Sequence, residues 1–219
     1  MAGFTGFNPN VARSNILEFE DAGTIIYNDL CYYNKLFFDS LASVWFSPYA
    51  VDFGKEYTRV LYASQGQVQA LVNNTIVKCV AAYNAIAKSN NVPTISDDHA
   101  VINPEDYAPN GTNMTYNDML DIKDGVVGMD KDKVTSYIQE YKMYLNTVQS
   151  ELDLFPLSIA FYDPNGELLA EFQAEVAAIK STLESNFRSM EASISSRLIE
   201  EQEKVVAGAR EAATKLAGQ

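Results

Sequence analysis

Four long stretches of this chain repeat apolar residues at steps of three and four, and almost nothing between them alternates with the period of a strand. In the first, roughly Glu18 to Val44, the stripe is Ile26, Leu30, Tyr33, Phe37, Leu41 and Val44. The second, roughly Tyr49 to Lys88, carries Phe53, Tyr57, Val60, Ser64, Val68, Leu71, Thr75, Cys79, Ala82 and Ile86. A third, from Asp132 to Ile159, is strictly periodic through Val134, Ile138, Tyr141, Leu145, Val148, Leu152 and Phe155, a seam of coiled-coil regularity. The last runs nearly to Gln219 with Leu169, Phe172, Val176, Ile179, Leu183, Phe187, Met190, Ile194, Leu198 and Val205 on one face. One-sided helices of this kind must bury their stripes against one another, so the pattern predicts an all-α chain.

The punctuation sets the order of packing. At Trp45-Phe46-Ser47-Pro48 the residue before proline is pushed out of the helical region, Ser47 has the chemistry of an N-cap, and Pro48 suits the first helical position. So short a connection folds the first two helices into an antiparallel hairpin. The same order recurs at Phe161-Tyr162-Asp163-Pro164, with Gly166 in the place of Ala50. Two one-sided hairpins would complete each other as an elongated four-helix bundle joined by a long loop. The expected organisation is a first hairpin over 1–89, an acidic Pro- and Asn-rich linker over 90–130 with a short helix near Tyr116–Ile122, and a second hairpin over 131–219. The overhang from about Glu200, EEQEKVVAGAREAATKLAGQ, reads as a solvated end or as a tail that binds a partner.

Composition excludes several function classes. Sixteen basic against 29 acidic residues give a net charge of −13, which repels phosphate backbones, so no nucleic-acid partner is expected. One histidine, His99, in a stretch of turn formers, and two cysteines cannot build a His₃ or Cys₄ zinc site. Asp130-x-Asp132 lacks the glycine turn of a calcium loop, and no phosphate loop, HExxH or GxSxG string occurs. Neither catalytic residues nor cofactor or metal sites are therefore expected. The first residues lack the apolar run of a secretory signal, and no window approaches a membrane span, so no stable membrane insertion is expected. In an antiparallel first hairpin the residue facing Cys31 lies near position 63, about 24 Å short of Cys79, which predicts two free, buried thiols.

The first break resembles the turn of the WXG family, small helical hairpins that are substrates and helpers of type VII (ESX-type) secretion. Of that family's W-x-G-x-A-x-x-F, Trp45, Ala50 and Phe53 match, and Ser47 stands for the glycine. The second break keeps an aromatic at Phe161 and an apolar Leu169 only. The resemblance implies a fused pseudo-dimer of two hairpins, export without a cleavable signal peptide or retention in the cytoplasm, and a protein partner or self-association. It also makes Trp45, Ser47, Pro48, Ala50, Phe53, Phe161, Pro164 and Gly166 the turn residues a partner would use. The family's tail signal Y-x-x-x-D/E is missing, so a partner would supply it, as in LXG proteins with small helical partners. The alternative expectation is a structural or assembly subunit of a phage or secretion particle, in which the long last helix packs between copies; a membrane-acting helical effector fits the acidic charge less well.

Overall fold

The computed structural model describes residues 8–96, 128–155 and 167–218, with side chains in the last stretch from 172 onward. Among them are four helices and one two-stranded ribbon: α1 Pro9–Ala42, β1 Trp45–Phe46, α2 Pro48–Ser89, β2 Gly128–Met129, α3 Lys131–Leu154 and α4 Glu167–Ala217. The chain is an all-α bundle. The second break, with Phe161, Asp163, Pro164 and Gly166, lies outside the described residues, as do His99 and the expected helix near Tyr116.

Most boundaries follow from capping chemistry. Helix α1 starts nine residues before the expected Glu18 because Asn8 caps it, its Oδ1 accepting the Asn10 and Val11 N–H groups at 3.1 and 3.3 Å, with Pro9 at the first helical position. That extension buries Ala12 and Ile16. Helix α2 begins as expected: Ser47 Oγ accepts the Ala50 N–H at 3.3 Å. It ends in a left-handed cap at Asn91 (φ 55°), where the Val92 N–H reaches back to the Ala87 carbonyl at 2.9 Å. Residues 92–96 are then tied down by Asn84, which accepts the Ile95 N–H at 2.8 Å and donates to its carbonyl at 3.0 Å. Asp130 caps α3 through the Lys133 N–H at 3.1 Å, and that bond holds its carboxyl below the usual carboxylate value.

The chain divides into two compact units to which every helix contributes a stretch, one of Met1–Tyr33, Tyr62–Thr112 and Met143–Leu183, the other of Asn34–Leu61, Asn113–Lys142 and Glu184–Gln219. In the first unit, α1 meets α3 antiparallel, with Phe19 stacked on Phe155 at 4.0 Å and Tyr33 on Tyr144 at 4.5 Å. Gly23 lets α1 close on α2: a Cβ there would lie 2.5 Å from Val72 Cγ1 and 3.1 Å from Phe155 Cε2. Lys180 pairs with Asp153, and Lys78 lies 3.9 Å from Glu175. Cys31 and Cys79 are both buried and free, as the hairpin arithmetic predicts.

In the second unit Phe37 stacks on Tyr141 at 4.4 Å, and Tyr141 lies 6.2 Å from Phe187 across α3 and α4. The Tyr141 hydroxyl donates to Asn34 Oδ1 at 2.6 Å inside the core. Asn34 takes the fully buried place in the α1 stripe that the periodicity assigns to Tyr33, which is half-buried. Helices α2 and α4 run antiparallel, through Tyr57 donating to the Ser189 carbonyl at 3.0 Å and Arg197 paired with Glu56 at 2.6 Å. All seven residues of the α3 seam are buried, and so is every α4 seam residue from Phe172 to Leu198.

Candidate functional site at the Trp45 turn

The turn between α1 and α2 is built around a tryptophan with no solvent exposure. After Ala42 the Ser43 N–H still reaches the Asp39 carbonyl at 3.2 Å, but the Val44 N–H tightens to Leu41 at 3.1 Å and the helix stops, so the chain straightens at Trp45 and Phe46 and pairs with Met129 and Gly128 respectively. The Asp130 N–H then bonds the Val44 carbonyl at 2.9 Å, extending the ribbon by one contact. A two-residue strand has too few positions to show alternation, which is why the sequence pattern contains no trace of it. The end of the expected linker, Gly128–Met129, thus belongs to this site.

Trp45 packs its ring 5.7 Å from Phe53, which in turn lies 4.8 Å from Tyr57 and 6.1 Å from Phe38. Its indole Nε1–H donates to Glu201 Oε2 at 2.9 Å. Ser47 Oγ–H donates to the same oxygen at 2.9 Å while accepting from the Ala50 N–H, so one hydroxyl caps α2 and ties it to α4. Glu201 is 4% exposed, and its second oxygen, Oε1, is buried without a hydrogen-bond partner among the described residues. Two hydrogen bonds to one oxygen hold this acid in a buried place, where an unpaired polar group is costly. Above it Lys204 sits 4.8 Å over the Tyr49 ring, and its hydrogen bond to Tyr49 raises the ammonium above its ordinary value.

The structure therefore brings together Trp45, Ser47, Pro48, Ala50 and Phe53 in one tip. Trp45, Ala50 and Phe53 are fully buried and Ser47 nearly so; Pro48 is exposed, and Phe46 and Tyr49 are half-exposed beside it. Tryptophan, alanine and phenylalanine act here as packing, and only the rim of the turn is open to contact. Phe161, Pro164 and Gly166 lie outside the described residues. Sequence reasoning missed Glu201, which it grouped with the polar overhang. The signal was present: Glu201 follows Leu198 by three and precedes Val205 by four, so it occupies a seam position where an acid must find a buried partner.

Beyond Glu201 every residue of α4 through Ala217 is exposed yet helical. Its first turns, with Gly128, Met129 and Lys131, line an open groove of about 760 Å³. Among the described residues no group of three or more His, Cys, Asp or Glu side chains is placed to hold a metal ion, and no helix is long and apolar enough to cross a membrane. The thiols offer little nucleophilic chemistry: burial pushes Cys31 up to about 11 and Cys79 up to about 12. No protein-family model, curated protein or solved structure matches the chain.

Proposed function

We propose that this chain is a non-enzymatic helical protein–protein interaction protein, exported by or assisting type VII (ESX-type) secretion without a cleavable signal peptide. The observation that carries the reading is the last 16 residues of α4, Gln202–Ala217, which stay helical with every side chain exposed after Glu201 has closed the bundle onto the Trp45 turn. The packed part of α4 nucleates this extension, and binding to a protein surface is the interaction that would stabilise its exposed apolar positions. In the WXG family, which the Trp45 turn resembles, the recognised segment also lies in the tail after the hairpin. Phe46, Pro48 and Tyr49 add an exposed rim at the turn, and a small helical partner would supply the missing tyrosine signal.

A second reading, an assembly subunit of a phage or secretion particle, is favoured by the exposed Ile199, Val205, Val206 and Leu216 on one helix. Export separates the two. In the host that carries the gene, a tagged chain is expected in the culture medium only while the type VII secretion ATPase is intact, and removal of residues 203–219 is expected to abolish its appearance there. A chain that stays in the cell, or reaches the medium without that ATPase, contradicts the export reading.

A further inference from the structure

Helix α4 carries two seams, and among the described residues only one is buried. The first, Phe187, Met190, Ile194, Leu198 and Glu201, is buried. The second begins at Ile199 and continues through Gln202, Val206, Ala209, Ala213 and Leu216 at steps of three, four, three, four and three, which is a heptad seam. Its large members are open to solvent: Ile199 is 57% exposed, Val206 48% and Leu216 74%. We infer that this second seam pairs antiparallel with the same seam of a second copy of the chain. The inference rests on reading the tail as a binding element, as above, and adds what it binds.

The flanks of the seam select that occupant. On one side lie Val205 and Ala212; on the other lie Glu203 and Arg210, neither of them ion-paired within the chain among the described residues. In an antiparallel pair each flank meets its own counterpart. With Ile199 opposite Leu216, Gln202 opposite Ala213 and Val206 opposite Ala209, Glu203 of each copy faces Arg210 of the other, and the two-fold axis makes the ion pair twice. The apolar flanks, Val205 and Ala212, meet in the same register. A parallel pair would set Glu203 against Leu198 and Arg210 against Val205 and leave both charges unmatched.

Size and charge agree with this arrangement. Ala209 and Ala213 let two helix axes approach closely in the contact, with the bulky Ile199 and Leu216 closing its ends. The groove beside Gln202, Val206 and Arg210, walled by Met129 and Lys131, gives the second helix additional surface. Although the whole chain carries −13, residues 199–217 hold four acids and three bases, so the paired segments scarcely repel, and physiological salt screens the rest.

Sedimentation equilibrium of the full chain at physiological salt tests the pairing, together with the single variants Glu203→Arg and Arg210→Glu. The wild type is expected to shift from 24.3 kDa to about 49 kDa between about 1 and 100 μM, the range suited to a small helical interface. Each variant alone sets like charges together twice and is expected to weaken the dimer about tenfold. An equimolar mixture of the two variants restores opposite charges at both positions and is expected to dimerise like wild type. A wild type that stays monomeric throughout, or a dimer unaffected by either variant, overturns the inference. So does a monomer whose residues 202–217 are protected from hydrogen exchange, since a segment of the same chain would then cover the seam. A monomer that still loses export when residues 203–219 are removed leaves the proposed function standing and retires self-pairing alone.

Discussion

Glu201 joins three elements through two hydrogen bonds to one oxygen, and its removal orphans the buried indole N–H of Trp45. Glu201→Ala is expected to destabilise the fold by about 2 kcal/mol in urea unfolding, offset partly because the buried, unpartnered Oε1 goes too. Glu201→Gln keeps an acceptor for Trp45 and should cost less. Gly23 is constrained by space: alanine is the better helix former by about 1 kcal/mol, yet its methyl would lie 2.5 Å from Val72 Cγ1. Gly23→Ala is therefore expected to lower stability by about 1–2 kcal/mol, and a stabilised variant would contradict that packing. The thiols bear on pH dependence. Folding keeps Cys31 and Cys79 protonated up to about 11 and 12, against 9.0 for an ordinary thiol. Above pH 9 the unfolded chain thus binds fewer protons than the folded one, and stability falls as pH rises until the folded thiols ionise too. Thermal melts at increasing alkaline pH are expected to show a decline that shrinks when both cysteines are replaced by alanine.

At the scale of elements, α4 changes its role at one residue. Its seam up to Leu198 is core, Glu201 closes the turn, and the remaining turns are solvated. Removing residues 203–219 is expected to leave stability within about 0.5 kcal/mol of wild type, whereas removing 201–219 should cost what Glu201→Ala costs. Unfolding curves for the two truncations distinguish a boundary at Glu201 from a gradual fraying of the helix. Much of this architecture was legible in the residues. All seven seam residues from Val134 to Phe155 are buried as their periodicity predicts, although the helix ends at Leu154 and not at Ile159, and Ser47-Pro48 marks the start of α2. What escaped were features whose signal is polar or too short. Asn8-Pro9 starts α1 ahead of its apolar stripe, Asn34 replaces an aromatic as the buried member of that stripe, and the Trp45–Phe46 ribbon spans two residues. The turn's packing partners were found in Ala50 and Phe53, but its hydrogen-bond partner lies more than 150 positions away, at a distance where periodicity carries no information about pairing.

For the molecule as a whole, the Trp45 turn and the exposed end of α4 divide the packed part of the bundle from the part proposed to interact. The tryptophan that resembles a recognition motif is sealed inside, Phe53 and Phe38 beside it are core, and the proposed partner surface is the helix whose apolar positions Ile199, Val206 and Leu216 are exposed. A net charge of −13 opposes indiscriminate association, while the locally balanced tail would still admit the complementary helix proposed for it. The central claim is that α4 is structural through Glu201 and interacting beyond it. Amide hydrogen exchange along α4 at two protein concentrations tests this most directly. The expected result is strong protection from Phe187 to Glu201 at both concentrations, with protection of residues 202–217 only at the higher one. Rapid exchange before Glu201, or a tail protected equally at high dilution, would contradict the account.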